Sequence, residues 1–335
     1  MNIIEQTIIN IFKLPKLDSN EIQMVNFKNN KYILYLTFME IAKHSYDLEG
    51  HKHPIYALAG SSKPHIVFTA GGEGAVVEWS LKKKTFLKVV FHMKASIYCL
   101  HSVAQPNILI AGDRTGHLAV FDFESQQLLF HFKAHDAAIF SIQSDVENCY
   151  SVSEDGSLNV YNLKDFSLNK KYKIHHQTLR TITLNPNNNE CLIGGKEQFL
   201  HTFDRSNANL IGSLSGHSLP IFSSCFNSNA QHYVTGSRDA QLNVWDSTNH
   251  QLVQTIPAHL FAINDILAIP DKQIIVSASR DKHVKIWDDA NYQLLQNISS
   301  QQNGHKLSVN RLCYTPFENT LVSVGDDRVL KIWNL

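Results

Sequence analysis

Histidine, hydroxyl and carboxylate residues recur together along this chain of 335 residues, and these are the side-chain types of a hydrolytic triad. His259, Ser277 and Asp281 form one such set. A catalytic triad occurs once in an enzyme and needs an exposed nucleophile beside its base. Here equivalent sets return about every 42 residues, and the preceding one begins with His217 and Thr235. The repetition favours a structural role for these residues over catalysis.

An aromatic residue followed by a small or polar residue marks the same period seven times. Successive doublets are 42, 40, 42, 42, 42 and 46 residues apart: Trp79-Ser80, Phe121-Asp122, Tyr161-Asn162, Phe203-Asp204, Trp245-Asp246, Trp287-Asp288 and Trp333-Asn334. An acid, or Thr115 in the second unit, stands six residues before each aromatic, and a histidine precedes most of them by 26 to 28 residues. We assign His92 and the His175-His176 pair to the histidine position in the second and fourth units. The chain is therefore an array of seven similar units.

Each unit contains four short apolar runs separated by turn residues, which is the spacing of an all-β array. In the fifth unit the predicted strands A to D are Ile221–Asn227, His232–Ser237, Leu242–Asp246 and Leu252–Ile256. A single four-stranded sheet cannot bury both of its faces. We therefore expect the units to stack in a ring, which buries these faces and leaves no long open sheet edge.

The sequence resembles WD40 repeats over about residues 40–335, most closely at Ser237-Arg238-Asp239 and Ser279-Arg280-Asp281 with their Trp-Asp doublets. The resemblance implies an all-β fold, a seven-bladed WD40 β-propeller closed by a strand from the N-terminal side. It also implies a buried hydrogen-bond chain in each blade, formed by the histidine, a strand-B hydroxyl, the turn acid and the strand-C tryptophan. The complete sets are His217, Thr235, Asp239 and Trp245; His259, Ser277, Asp281 and Trp287; and His305, Ser323, Asp327 and Trp333.

The closing strand is expected on the N-terminal side because the last unit stops at Leu335, directly after its third strand. Met39–Leu48 precedes the first unit in the position that a fourth strand occupies in every other unit. We therefore expect this segment to complete the last blade, as WD40 rings commonly do. The propeller is predicted to occupy residues 39–335.

Residues 1–38 are interpreted as an N-terminal extension, since they contain no Trp-Asp doublet and no Gly-His pair. Two alternatives remain open. The segment could be a degenerate eighth blade, because Thr7–Pro15 and Asn29–Thr37 align loosely with blade strands. It could also be a leader before an alternative start at Met39.

The charge balance is neutral, with 30 Lys and Arg against 30 Asp and Glu, so no basic excess points to a nucleic acid. No run of 18 apolar residues and no basic leader occurs, so neither a membrane span nor a secretion signal is expected. The five cysteines form no C-x-x-C pair and lie in apolar runs, which indicates buried, reduced thiols. These features predict a cytoplasmic protein, monomeric on its own, without a nucleic-acid or membrane partner.

In a propeller the D–A and B–C connections lie on one face, the top, where each strand A begins. One recurring position near the start of strand A is expected to ring the top opening of the central channel: Tyr56, Tyr98, Phe140, Arg180, Phe222, Asn264 and Asn310. The resemblance implies a second set of ligand contacts at the residue before the turn acid: Gly72, Arg114, Glu154, Lys196, Arg238, Arg280 and Asp326.

Aromatic and arginine side chains are typical of protein-binding hot spots. The sequence therefore predicts a non-catalytic scaffold that binds a protein or peptide on the top face. The specific hypothesis is a segment with an apolar anchor and an acidic residue, docked between blades 2 and 6. The aromatic arc with Arg180 would take the anchor, and Arg238 with Arg280 would take the acid. In the alternative interpretation the aromatics only wall the channel and pack against each other.

Other functional classes have weaker support in the sequence. It contains no P-loop, dinucleotide-binding fingerprint, EF-hand or zinc-type cluster, so no cofactor and no metal is expected. A propeller that binds an anionic ligand, nucleic acid or phospholipid, remains as an alternative. A propeller enzyme is a further alternative, which would need a single, non-repeating polar cluster in the channel.

Overall fold

The computed structural model describes residues 22–27, 31–36, 40–104, 107–123 and 125–335. Seven four-stranded antiparallel sheets account for most of these residues. The A strands of successive sheets are in contact, and those of the first and last sheets also touch, so the ring is closed. The prediction of an all-β, seven-bladed propeller is confirmed.

The first four blades each follow the chain order from inner strand A to outer strand D. Blade 1 contains Ile55–Gly60, Ile66–Gly71, Ala75–Ser80 and Thr85–His92. Blade 2 contains Ile97–Val103, Ile108–Asp113, His117–Asp122 and Gln127–Lys133. Blade 3 contains Ile139–Ser144, Asn148–Ser153, Ser157–Asn162 and Leu168–Lys173. Blade 4 contains Leu179–Leu184, Glu190–Gly195, Phe199–Asp204 and Asn209–Ser215.

The remaining blades follow the same plan, except that the outer strand of blade 7 comes from the start of the ring. Blade 5 contains Ile221–Phe226, His232–Ser237, Gln241–Asp246 and Leu252–Pro257. Blade 6 contains Ile263–Ile269, Ile274–Ser279, Val284–Asp288 and Leu294–Ile298. Blade 7 contains Val309–Thr315, Thr320–Gly325, Val329–Asn334 and Lys43–Glu49. Among the described residues, three short 3-10 helices lie at Pro270–Lys272, Ser300–Gln302 and Phe317–Asn319.

The closing strand joins the two ends of the ring. Lys43–Glu49 pairs antiparallel with Val329–Asn334, with one register shift at Ser45. Lys331 Nζ donates a hydrogen bond to Asp47 Oδ2 at 2.9 Å across this pair of strands. The closing strand lies where the sequence predicted it, although it runs from Lys43 to Glu49 and not over all of Met39–Leu48.

Apolar side chains of neighbouring blades meet between the sheets. The core cluster between blades 7 and 1 includes Leu48 of the closing strand and Trp79 of blade 1. Within a strand the pattern alternates: in blade 6, Val284 and Ile286 are buried, while Lys285 between them is only partly buried. Each blade therefore depends on both of its neighbours to cover its two faces.

The chain divides into two compact units, Met1–Ile41 and Ala42–Leu335. The described residues of the first unit form a two-stranded antiparallel sheet of Ile22–Phe27 and Lys31–Leu36. The second unit is the propeller. The alignment of Thr7–Pro15 with a blade strand lies outside the described residues. We propose from this division that the propeller domain begins near residue 40.

All five cysteines are free thiols, and Cys99, Cys149 and Cys191 are buried. Burial raises the pKa of the Cys99 thiol to about 12, so this thiol is protonated and unreactive at neutral pH. Within the residue ranges that the structure describes, no helix is long and apolar enough to cross a lipid bilayer.

We expect a chain that begins at residue 50, and so lacks the closing strand, to melt at least about 5 °C below a chain that begins at residue 40. The deletion frees one edge of Val329–Asn334 and removes the buried side chain of Leu48. Truncating a single buried leucine costs about 2–5 kcal/mol. Calorimetry of the two chains measures the difference, and equal melting temperatures would mean that this strand does not hold the ring together.

Candidate functional site

Four side chains of blade 6 form a continuous hydrogen-bond chain. His259 Nδ1 lies 2.9 Å from Asp281 Oδ2, and its Nε2 lies 2.8 Å from Ser277 Oγ. Trp287 Nε1 donates to the same hydroxyl at 2.9 Å. Burial lowers the pKa of His259, so the ring is neutral and donates its Nδ1–H to the carboxylate. The serine then accepts from tryptophan and donates to Nε2.

The same arrangement occurs in the two neighbouring blades. The histidine–acid, histidine–hydroxyl and tryptophan–hydroxyl distances there all lie between 2.8 and 3.0 Å. The residues are His217, Thr235, Asp239 and Trp245 in blade 5, and His305, Ser323, Asp327 and Trp333 in blade 7. The hydroxyls of Ser277, Thr235 and Ser323 are fully buried. They are shared between two partners and shielded from solvent, so they cannot act as nucleophiles toward a substrate.

Blade 1 carries a variant of the network in which Glu73 takes the place of the aspartate and bonds to His51.

The structure corrects the assignment of His92 in the second unit. Met93, which is buried, occupies the histidine position, and its backbone N–H bonds to Gly74 O as that of His135 bonds to Gly116 O. His92 ends the outer strand of blade 1 and is exposed, because it lies 29 residues before Phe121, whereas Met93 has the 28-residue spacing of most of the other histidines.

The turn aspartates also hold the top connections in place. Asp281 Oδ2 accepts the backbone N–H of Leu260 at 3.0 Å, and its Oδ1 accepts that of His283 at 3.0 Å. One carboxylate thereby ties the D–A connection to the B–C turn. The bond from the backbone N–H of Leu260 to Asp281 fixes the start of the following strand A.

Among the described residues, no group of three or more His, Cys, Asp or Glu is placed to hold a metal ion.

A β-bulge interrupts the pairing of strands A and B at the same place in every blade. In blade 1, Ile55 pairs with Gly71 and Ala57 pairs with Ala70, so Tyr56 between them has no partner. A bulge re-aims the side chain of its extra residue. The seven bulge residues are the seven predicted channel residues: Tyr56, Tyr98, Phe140, Arg180, Phe222, Asn264 and Asn310.

All seven bulge residues line one cavity of about 480 Å³, which we call the channel mouth. Arg114 and Glu154, from the B–C turns of blades 2 and 3, and Arg311 complete its wall. Arg238 and Arg280, expected from the sequence to bind an acid, are exposed on their turns and do not line the channel mouth. The structure therefore brings together the strand-A residues but not these two arginines.

Five consecutive bulge residues form a stacked arc around the channel mouth. The rings of Tyr56 and Tyr98 meet edge to face at 5.4 Å, and Tyr98 stacks on Phe140 at 5.5 Å. The central carbon of the Arg180 guanidinium lies 4.4 Å from the ring centroid of Phe140 and 4.8 Å from that of Phe222. These contacts order the arc, while each side chain remains partly exposed.

Sequence reasoning missed Arg311, which reaches across the channel from blade 7. Its Nη1 donates to Asn264 O at 3.1 Å, its Nη2 lies 3.5 Å from Phe140 O in blade 3, and Nη1 lies 3.8 Å from Asp265 Oδ1. The position directly after the bulge residue is Ala, Cys, Ser, Thr, Ser or Asp in the other six blades. Arg311 is the one large side chain at this position, and this difference in size could have identified it from the sequence.

A second cavity of about 210 Å³ lies deeper in the channel and shares four residues with the channel mouth: Phe140, Arg180, Phe222 and Arg311. It is lined by hydroxyl groups and by His101 and Asp265. Burial lowers the pKa of His101 to about 4. Burial also raises the pKa of Asp265, and the nearby charge of Arg311 partly offsets this second shift. The interior of the channel thus holds titratable groups whose charged forms are disfavoured.

The seven blades, the His–hydroxyl–Trp networks and the channel bulges define this chain as a WD40-type β-propeller. Residues 57–287 match the family described as nucleolar protein 10-like, N-terminal domain, and residues 296–334 match the WD domain, G-beta repeat. The first match covers more than half of the sequence. The chain therefore belongs to the nucleolar protein 10-like N-terminal domain family.

Two relatives share weaker similarity. U3 small nucleolar RNA-associated protein 12 of Saccharomyces cerevisiae is 23% identical over 252 residues, which cover 65% of this chain and 26% of that protein. Telomerase protein component 1 of Rattus norvegicus is 27% identical over 128 residues, which cover 36% of this chain and 5% of that protein. The chain therefore spans about a quarter of the length of the first relative and far less of the second.

The predicted cytoplasmic location is contradicted by these matches, because both the family and the yeast relative are named for the nucleolus. The prediction rested on reduced cysteines and on the lack of a membrane span or secretion signal. Nuclear proteins keep their thiols reduced as cytosolic proteins do, so these features do not distinguish the two locations.

We expect Asp281→Ala to lower the free energy of unfolding by about 2–3 kcal/mol. The substitution leaves the Nδ1–H of His259 and the backbone N–H groups of Leu260 and His283 without their acceptor. The matched control is Asp136→Ala, since that side chain is 84% exposed and its loss should cost less than about 0.5 kcal/mol. Urea denaturation measures both, and equal effects would remove Asp281 from the stabilising network.

Acid should destabilise the propeller partly through His101. Its pKa is about 4 in the folded chain and 6.5 in the reference state, so the unfolded chain binds the proton more tightly. Stability is then lost as pH falls through 6.5, and we expect a loss of about 2 kcal/mol from this residue between about pH 7.5 and about pH 5. His101→Gln should have a correspondingly shallower pH dependence in urea denaturation, and identical slopes would contradict the assignment.

Proposed function

We propose that this chain is a non-catalytic scaffold domain that binds a segment of a protein partner at the channel mouth. The observation that carries the proposal is the arc of four aromatic rings and Arg180, which lines a cavity of about 480 Å³ on the top face. Rigid aromatic rings and arginine are the side chains that dominate the energetics of protein interfaces. A cavity of this size accommodates one or two side chains of a partner.

The alternative, that the rings only pack against each other, accounts for their mutual contacts but not for the apolar surface around them. Large apolar side chains are also exposed on the top connections of blades 5 to 7. Leu260 is 83% exposed and Phe261 58%, and Leu219 and Leu307 are exposed at the corresponding connections. Clustered exposed apolar surface is characteristic of protein contact sites. These residues support a binding surface that extends from the channel mouth toward blade 6.

The comparisons support a location for this scaffold. The family is described as nucleolar protein 10-like, and the yeast relative is named for association with the U3 small nucleolar RNA. We infer from these names that the chain works in the nucleolus as part of an RNA-containing assembly. In this proposal its own contact at the channel mouth is with a protein of that assembly, because the arc offers apolar area more than charge.

The double substitution Tyr98→Ala and Phe140→Ala should abolish partner capture from nuclear extract while leaving the melting temperature near that of the wild type. It removes two adjacent rings of the arc and leaves the His–hydroxyl–Trp networks untouched. The matched control is Leu128→Ala with Leu168→Ala, which are 45% and 51% exposed on the outer strands of the same two blades. Affinity capture followed by mass spectrometry measures the outcome.

Two results would count against the proposal. Capture that survives the ring substitutions but fails with the outer-strand substitutions would move the binding site to the rim. Capture that disappears on ribonuclease treatment, and that weakens steeply with added salt, would instead identify an RNA as the primary ligand.

A further inference from the structure

Arg180 is a partly buried cation of the channel mouth that has no acidic partner among the described residues, whereas Arg114 in the same wall is exposed. Its guanidinium is packed between two phenyl rings, Phe140 and Phe222. In the part of the chain that the structure describes, it donates no hydrogen bond and forms no ion pair. Arg311, in the same wall, differs: it bonds to a backbone carbonyl at 3.1 Å and lies 3.8 Å from the carboxylate of Asp265.

The position of the two rings determines where Arg180 can find an acceptor. Both ring centroids lie within 5 Å of the guanidinium carbon, and the N–H groups of a guanidinium point outward in its own plane. Burial lowers the pKa of Arg180, with Glu154 opposing this effect and Arg311 adding to it, yet an arginine remains protonated in proteins. A half-buried cation with five N–H donors and no acceptor is costly, and the cost is relieved by an anion in that plane.

The channel mouth cannot supply this anion itself. Glu154 is the one carboxylate among its lining residues, and it is an exposed turn residue that forms no ion pair with Arg180 in the described chain. The lining holds three arginines, Arg114, Arg180 and Arg311, against this single acid. Arg311 already faces the carboxylate of Asp265, so Arg114 and Arg180 are the lining arginines that form no ion pair among the described residues.

We infer that the channel mouth takes the carboxylate of an aspartate or glutamate side chain from the bound partner, held by Arg180. This inference rests on the proposed function and adds its ligand chemistry. A planar carboxylate continues the plane of the guanidinium and can accept two parallel N–H bonds. A planar carboxylate also matches the planar fork of the guanidinium more closely than a tetrahedral, strongly hydrated phosphate does. The acid thus binds at Arg180 and not at Arg238 and Arg280.

A pair of capped tripeptides tests the inference directly. One has the sequence Phe-Glu-Leu and the other Phe-Gln-Leu, so they differ by one charge and share the apolar side chains. Binding is followed by the side-chain NMR signals of the arginines in the full chain. We expect the glutamate peptide to bind wild type at least about tenfold more tightly than the glutamine peptide, which corresponds to about 1.4 kcal/mol.

Substitutions then locate the discrimination. Arg180→Gln should bind the two peptides equally, and Arg180→Lys, which keeps the charge but loses the planar fork, should reduce the preference. The Arg238→Gln/Arg280→Gln double variant should keep it. Melting temperatures verify that each variant is folded. If Arg180→Gln does not fold, the peptide preference of Arg180→Lys is compared with that of the wild type instead.

Each contrary outcome overturns a stated part of the inference. A preference that is lost in the Arg238→Gln/Arg280→Gln variant and kept in Arg180→Gln assigns the acid to the exposed turns. Inorganic phosphate that displaces the glutamate peptide at equal concentration makes phosphate the preferred anion. Equal binding of both peptides to wild type, or binding of neither, ends the carboxylate inference. The proposed function is judged separately, by partner capture with the Tyr98→Ala/Phe140→Ala variant.

Discussion

The propeller depends on one constraint: a four-stranded blade has two apolar faces, and both must be covered by neighbouring blades. A linear array would leave the first and last blades uncovered, so the ring must close. Closure here is made by hydrogen bonds between Lys43–Glu49 and Val329–Asn334, strands that are nearly 300 residues apart in the chain. Leu48 then packs in the same cluster as Trp79 and completes the core between blades 7 and 1.

Closure brings the seven A strands together around one channel, and local bonds determine what these strands present there. The turn aspartate of each complete network fixes the D–A connection, which sets where strand A begins. The bulge at its second residue then directs one side chain per blade into the channel mouth. The backbone device is the same in all blades, whereas the side chains differ. The proposed binding function depends on this asymmetry, with rings and Arg180 on blades 1 to 5 and asparagines on blades 6 and 7.

Much of this arrangement could be predicted from the sequence because the repeat supplies it many times over. The aromatic doublets gave the blade number, and the predicted strands of blade 5 are right to within one residue. The recurring strand-A position supplies seven of the ten residues that line the channel mouth. Errors arose where a single repeat carries another residue type at the shared position, as with Met93, for which the neighbouring His92 was assigned. They also arose where contacts cross the ring: Arg311 meets Phe140 of blade 3, which no comparison within one blade reveals. The nucleolar assignment depends on relatives and not on any physical property of the residues.

The central claim, that the partner binds at the channel mouth, is tested most directly by photo-cross-linking. The photoreactive amino acid p-benzoylphenylalanine replaces Phe222 in the arc in one sample and Leu128 on the outer strand of blade 2 in another. Both are irradiated in nuclear extract. We expect a ribonuclease-resistant protein adduct from position 222 and none from position 128. Adducts from position 128 alone, or an adduct at position 222 that ribonuclease removes, would contradict it.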